Sequence, residues 1–157
     1  MEAALTLSLV TNHPLDLETL GRLLSDQGEL LLVWPDAKFP FDAGQWRERL
    51  LSQRGNRSYF VVHAGETIGH AALLETEEPQ VLAMSYLFIR PDRRGRGLGS
   101  DLIRLLEDEA RKTPNVQALR LRVRTYNPRA MHLYEASGFA KTEQDGTLVI
   151  MRKALAP

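Results

Sequence analysis

The residues best suited to chemistry in this chain lie in the run Arg94-Gly95-Arg96-Gly97-Leu98-Gly99-Ser100. It falls where an apolar stretch, Val81 to Ile89, gives way to an amphipathic one ending near Lys112. Strand, glycine-rich turn and helix in that order predict an anion cradle. Glycines let a backbone approach a phosphate closely, and the unpaired N–H groups of a helix's first turn point toward it. The helix dipole favours the same charge, and the Arg94 and Arg96 guanidinium groups supply donors that match phosphate oxygens. The ligand expected of this run is a pyrophosphate. A plain turn, with glycines for geometry and arginines for solubility, is the alternative if nothing else in the chain supports a site.

Spacing narrows the kind of pyrophosphate. A nucleotide-triphosphate loop GxxxxGK[ST] needs a lysine and a hydroxyl that are missing here. The dinucleotide fingerprint GxGxxG needs glycine where Ser100 stands, and an acidic residue about 20 positions on. The next apolar stretch ends instead in Arg120-Leu121-Arg122-Val123-Arg124. What fits is Arg94-x-x-Gly97-x-Gly99, which resembles the acyl-CoA signature of the GCN5-related N-acetyltransferases. Ser85-Tyr86-Leu87-Phe88-Ile89-Arg90-Pro91 is similar to that family's fourth strand, which runs into a proline before the turn. Asn127-Pro128-Arg129-Ala130-Met131-His132-Leu133-Tyr134-Glu135-Ala136-Ser137-Gly138-Phe139 resembles its second hallmark, an asparagine followed by a helix that closes on Gly-Phe. Leu148-Val149-Ile150-Met151-Arg152-Lys153 is similar to its closing strand. The resemblance covers residues 58 to 153; the first 57 share only the order of elements.

The elements that must position these residues alternate without a linker, a repeat or a low-complexity segment, so one domain over residues 1–157 is expected. Leu5 to Val10 reads as a strand, and Pro14 opens a helix with Leu17, Leu20 and Leu24 on one face. Gln27 to Phe41 reads as a loop. Asp42 is expected to cap a helix through Gln53, with Gln45 completing a capping box. Strands Ser58–Ala64 and Thr67–Glu75 join in a hairpin at Gly65-Glu66. After the Val81–Ile89 strand and the helix to Lys112, Ala118–Arg124 alternates apolar and basic residues as a half-buried strand does. Asn127 caps a helix that has Pro128 in its first turn and ends at Gly138. Phe139–Thr142 and Thr147–Arg152 close the sheet around Gln144-Asp145-Gly146. The resemblance implies an α/β (α+β) fold: a mixed, mostly antiparallel sheet of six to seven strands with about four helices, its fourth and fifth strands splayed.

It also implies acetyl-CoA as co-substrate and an amine of a small molecule or a peptide as acceptor. Attack on a thioester creates an oxyanion, which needs a preorganised donor. In the family that donor is a backbone N–H near the end of the fourth strand, here the Leu87-Phe88-Ile89 segment, with Leu87 foremost. The same backbone would pair with the pantetheine amides, while Arg94, Gly95, Arg96, Gly97, Leu98, Gly99 and Ser100 form the phosphate loop and Asn127 bonds the cofactor. Tyr134 occupies the position of the acid that protonates the leaving thiolate; otherwise it is an aromatic wedge against Met131 and Gly138. The family's two places for a basic carboxylate hold Met84 and Arg122. Glu75 and Asp36 are the remaining acids near the expected cleft; both read as solvated surface, with Glu75 the base candidate. A water chain to solvent, or an acceptor arriving as the free amine, would make a dedicated base unnecessary. Met84 and Leu102 read as core, and Arg120, Arg122 and Arg124 as a solvated strand face. Trp34, Phe39 and Phe41 fit an acceptor-side lid, core packing or a homodimer contact equally. A CoA-binding sensor of the same fold, without catalysis, is the alternative function.

Composition sets the outer limits. Twenty basic and twenty acidic side chains cancel, which argues against a nucleic-acid binder. The absence of cysteine excludes disulfides, thiolate metal sites and a cysteine nucleophile. His13, His63, His70 and His132 have no metal-ligand spacing, so no metal is expected. With no basic leader and no apolar run of membrane-spanning length, a soluble cytoplasmic protein that does not enter a membrane is expected.

Overall fold

The computed structural model describes residues 6–156. Its elements are β1 (Leu7–Thr11), α1 (Leu17–Leu23), α2 (Gln27–Val33), α3 (Ala43–Leu50), β2 (Arg57–His63), β3 (Glu66–Glu75), β4 (Val81–Ile89), α4 (Leu98–Arg111), β5 (Ala118–Arg124), α5 (Pro128–Ala136), β6 (Ala140–Asp145) and β7 (Leu148–Ala154). A short 3-10 turn, Pro91–Arg93, links β4 to the glycine-rich run. The strands form one seven-stranded sheet in the order β1-β2-β3-β4-β5-β7-β6. All neighbours are antiparallel except β4 and β5. This is the expected mixed sheet at its seven-strand limit, with one more helix than anticipated.

Each face of the sheet carries its own core. In α4, Leu98, Leu102, Leu106 and Ala110 recur every fourth residue and are buried against Leu82, Met84, Leu119, Leu121 and Val123 of β4 and β5. Burying each leucine of such a stripe is worth roughly 1.5–3 kcal/mol, which is what fixes the helix to the sheet. Met84 and Leu102 are both core, as read from the sequence. On the other face Leu17, Leu20, Leu30, Trp46 and Leu50 from α1–α3 pack on Phe60, Ala72, Leu74 and Phe88.

The structure corrects several element boundaries. The segment expected as a loop from Gln27 begins with helix α2, because the Asp26 carboxylate accepts from the Glu29 N–H at 2.9 Å and caps it. Helix α1 starts three residues after Pro14, at Leu17, where Asp16 accepts from Thr19. Asp42 does cap α3, but Gln45 forms no reciprocal box. Its amide bonds the backbone of Lys38 and Asp36 instead, tying down the preceding loop, and the helix stops at Leu50. The β2–β3 hairpin turns on Ala64-Gly65, both at positive φ, one residue earlier than expected. Strand β6 is offset and longer than the Phe139–Thr142 expectation, and β7 runs to Ala154. Leu5, the expected start of the first strand, lies outside the described residues.

Candidate functional site

The ladder between β4 and β5 has three registered pairs, Val81↔Ala118, Leu82↔Leu119 and Ala83↔Arg120. Beyond them the parallel strands part, because β4 bulges on its other edge. Between His70↔Phe88 and Ala72↔Ser85, one residue of β3 faces two of β4, Tyr86 and Leu87. Tyr86 sits at φ +54°, a left-handed backbone that a tyrosine rarely adopts. The splay opens into a cleft of about 1050 Å³ that runs between β4 and β5 from the α1–α3 side of the sheet to the start of α4.

A buried polar chain holds the bulge. His70, with no exposed surface, places Nδ1 3.0 Å from the Tyr86 carbonyl oxygen and Nε2 2.7 Å from Ser58 Oγ. A carbonyl only accepts, so Nδ1 carries the proton, Nε2 accepts from the Ser58 hydroxyl, and Ser58 accepts from Asn12 Nδ2 at 3.2 Å. Burial pushes the imidazole pKa down to about 4, which keeps it neutral and this tautomer intact. The Tyr86–Leu87 peptide is trans, so with its carbonyl tied to His70 the N–H of Leu87 is directed the opposite way. Leu87, Phe88 and Ile89 all line the cleft.

The phosphate cradle lies at the far end. Gly97 is the N-cap of α4, at φ +76° and ψ 6°, and among the described residues no side chain caps the helix start. Gly95 shares the left-handed conformation at φ +81°. A Cβ on either glycine would meet nothing within 4 Å, so the space over the helix start is open. Gly99 is small for a different reason. A Cβ there would come within 2.9 Å of Leu133 on α5, so this glycine lets α5 pack over the α4 terminus. Ser100 and Leu98 also line the cleft. The Arg94 side chain does not point freely into the cradle. Its Nε donates to the Ile89 carbonyl at 2.8 Å, and its terminal nitrogens grip Glu29 of α2 at 2.6 Å and 3.4 Å. Arg96 is exposed beside the loop and outside the cleft wall.

Helix α5 forms the second wall. Asn127 caps it by accepting from the Ala130 N–H at 3.4 Å, and the residue borders the cleft. Two turns on, Tyr134 lines the cleft with its ring edge-on to Phe139. Burial alone pushes its phenol up to about 12, so the hydroxyl is protonated throughout the neutral range.

Of the expected acceptor-side aromatics, only Trp34 lines the cleft. It packs on Tyr86 at 5.2 Å and edge-on to the fully buried Trp46 at 4.9 Å. Phe41 stacks on Trp46 and fills the space over Gly21, so it is core. Phe39 is exposed and outside the cleft wall. Glu75 and Asp36 sit at the cleft's exposed rim. Arg120, Arg122 and Arg124, expected as a merely solvated face, border the same cleft.

Sequence reasoning missed His70, Glu29, Arg49 and Tyr86. The partners of His70 are 12 and 16 residues away, and Arg94 reaches Glu29 across 65. No local pattern announces either contact. Among the described residues no group of His, Cys, Asp or Glu is clustered to hold a metal ion, and no helix is long and apolar enough to cross a membrane.

The model of the Acetyltransferase (GNAT) family matches residues 20–139. The aminoglycoside N(6')-acetyltransferase type 1 proteins of Klebsiella pneumoniae and Serratia marcescens are each 28% identical over 122 residues. The match covers 68% of this chain and 61% of each of theirs, so the chain spans about three fifths of the curated relatives' length. Among solved structures, an acetyltransferase from Thermus thermophilus superposes with a TM-score of 0.79 at 28% identity, covering 98% of this chain and 100% of that one. Aminoglycoside acetyltransferase AAC(6')-Ib in complex with coenzyme A and kanamycin gives 0.74 at 26%, covering 96% and 95%. A spermidine N-acetyltransferase from Vibrio cholerae, at 0.77 and 21% over 95% of both chains, shares the fold.

Proposed function

This chain belongs to the acetyltransferase (GNAT) family, and from that membership we propose that it is a single-domain N-acetyltransferase that moves an acetyl group from acetyl-CoA to the primary amine of a small molecule. The observation that carries this reading is the splayed β4–β5 cleft with the open Gly95–Gly97 cradle at one end and the protonated Tyr134 in its wall. The named relatives that act on amine acceptors, and the AAC(6')-Ib complex with coenzyme A, support the same donor and acceptor classes.

The residues divide the work. Backbone N–H groups of Gly97, Leu98 and Gly99 at the start of α4 hold the pyrophosphate, aided by the helix dipole. Arg94 acts by fixing α2 against the loop, since its donors are already engaged. The unpaired β4 edge beyond Ala83 receives the pantetheine amides, and Asn127 adds its side-chain amide. The acceptor nitrogen attacks the thioester carbonyl carbon, forming the C–N bond, while the N–H of Leu87 receives the oxyanion. As the C–S bond breaks, the thiolate takes the Tyr134 proton. The nitrogen sheds one proton to give the neutral amide, and solvent returns one to the tyrosinate. A phenol near 12 is a weak acid for this task, but the burial that raises it raises the thiol as well, because desolvation opposes either anion. Glu75, at the rim beside Leu82 at the start of β4, would take the nitrogen's proton through a chain of waters.

The second reading, a CoA-binding sensor, is favoured by the absence of a carboxylate at Met84 and Arg122. Two measurements separate the two. Acetyl-CoA should raise the melting temperature well above NAD or ATP, by mass action on the native state. Thiol release from acetyl-CoA should then depend on an added amine. Stabilisation without amine-dependent release would identify a sensor; equal stabilisation by NAD would remove the CoA site altogether.

A further inference from the structure

We propose that the acceptor carries an anionic oxygen group as well as its amine, and that Arg49, Arg122 and the Tyr86 hydroxyl hold that group at the acceptor end of the cleft. The inference rests on the acetyltransferase reading and names its substrate class.

The three donors share one face of the sheet. Along β5, Leu119, Leu121 and Val123 are buried under α4, so Arg120, Arg122 and Arg124 project to the side that carries α1–α3. The bulge in β4 puts Tyr86 on that side too, packed with Trp34 and Trp46. Continuing the β4–β5 register two residues past Ala83↔Arg120 sets Arg122 across the gap from Ser85, beside Tyr86. From α3, Arg49 Nε donates to the Tyr86 hydroxyl at 2.9 Å, so that hydroxyl still has its own proton to donate. All three residues line the cleft.

Charge pairing divides the arginines of the lining: among the described residues Arg49, Arg122, Arg124 and Arg129 make no ion pair, and of these Arg49 and Arg122 flank Tyr86. Arg94 is matched by Glu29, and Arg120 by Glu77 and Glu78. Glu77 is held far below its ordinary carboxylate range, at about 2, chiefly by the Arg120 guanidinium, with a smaller contribution from Arg122. Arg49 bonds only hydroxyls, Tyr86 Oη and Ser52 Oγ, and Arg122 has no carboxylate within ion-pair distance among the described residues. The remaining acids of the lining, Asp36 and Glu75, are exposed at the rim, as Arg122 is, and both Asp36 and Arg122 act on the Tyr86 hydroxyl, in opposite directions. A polycationic acceptor would bring its charges against guanidinium groups that make no ion pair. An acceptor with a carboxylate or phosphate would meet two cationic donors and one hydroxyl.

The same placement bears on the missing base. A positive charge near an amine disfavours its protonated form. The field of Arg122 acts where a carboxylate is absent.

The test compares matched acceptors by thiol release: β-alanine against propylamine, glutamate against its diamide, phosphoethanolamine against ethanolamine, with spermidine and kanamycin as polycations. The anionic member of at least one pair should have the higher kcat/KM, by about tenfold or more, the scale of one charge-assisted contact. The carboxylate and phosphate arms identify which group is read. R122E should erase that advantage and raise the activity toward spermidine, while KM for acetyl-CoA and the melting temperature hold. R49K tests the second donor and should lose part of the advantage. Highest kcat/KM for spermidine or kanamycin, or an unchanged order in R122E, would overturn the inference and leave acetyl transfer standing. Release with no amine at all, despite acetyl-CoA binding, would remove both.

Discussion

His70 Nδ1 donates to the Tyr86 carbonyl at 3.0 Å, so a fully buried imidazole fixes the peptide at which β4 leaves its ladder. The Leu87 N–H points away from that bond, and its aim depends on it. An asparagine amide nitrogen reaches the place of Nδ1, whereas a glutamine's reaches that of Nε2. H70N should therefore keep the bond to Tyr86, and H70Q only the bond to Ser58. H70Q should lose about tenfold or more in kcat, a fraction of the 10²–10³-fold effect of deleting an oxyanion donor. H70N should lose much less, with KM for acetyl-CoA similar in both. Equal kcat in the two variants, after matching for folded fraction, would reduce His70 to packing.

The same residue predicts a pH dependence of stability. Its native pKa is about 4, against an ordinary value of 6.5. Below 6.5 the unfolded chain takes up a proton that the native chain refuses, so stability is complete above pH 6.5 and falls as pH drops toward 4. The loss over that window is about 3 kcal/mol for this group. Urea unfolding at pH 7 and pH 4.5 should show the drop in wild type and a smaller one in H70N. Identical slopes would mean that His70 does not titrate with folding.

Arg94 and Glu29 join the glycine loop to α2. Each is about one-fifth exposed, so truncating one partner strands a largely buried charge. R94A and E29A should each cost about 1–3 kcal/mol of stability. In a double-mutant cycle the coupling should be at least about 0.5 kcal/mol. Additive effects would show that the pair contributes nothing as a pair.

Gly97 and Gly99 should respond differently to the same substitution. G97A adds a Cβ in open space at positive φ, so its stability cost is about 1 kcal/mol of backbone strain. It should weaken CoA binding, because the new methyl occupies the approach to the α4 N–H groups. G99A drives a methyl toward Leu133 and should mainly disturb the packing of α5, which carries Tyr134. Calorimetric titration with CoA separates them. Unchanged affinity in a folded G97A would remove the cradle assignment.

What the sequence revealed divides by range. The strand, glycine turn and helix from Val81 to Lys112 were legible because each depends on its own residues: an apolar run, glycines at positive φ, a fourfold leucine spacing. Asn127 and Gly138 bracketed α5 for the same reason. Helix α2 was missed because its Leu30-Leu31-Leu32-Val33 run has no periodicity, and only the Asp26 cap marks it. β6 is exposed along its whole length, so no alternation showed its register. The Tyr86 bulge, the His70 chain and the Arg94–Glu29 pair arise from contacts between distant segments, which no local pattern encodes.

Acetyl transfer itself is tested most directly by single-turnover chemistry with the Tyr134 hydroxyl removed. Wild-type protein in excess over acetyl-CoA, mixed with the best acceptor of the matched panel, should yield free thiol and acetylated amine one for one. Y134F retains the ring against Phe139 and loses only the proton donor. Its single-turnover rate should fall by about 10²-fold or more, with acetyl-CoA affinity and melting temperature little changed. Thiol without acetylated amine, or a Y134F rate equal to wild type, would contradict the account.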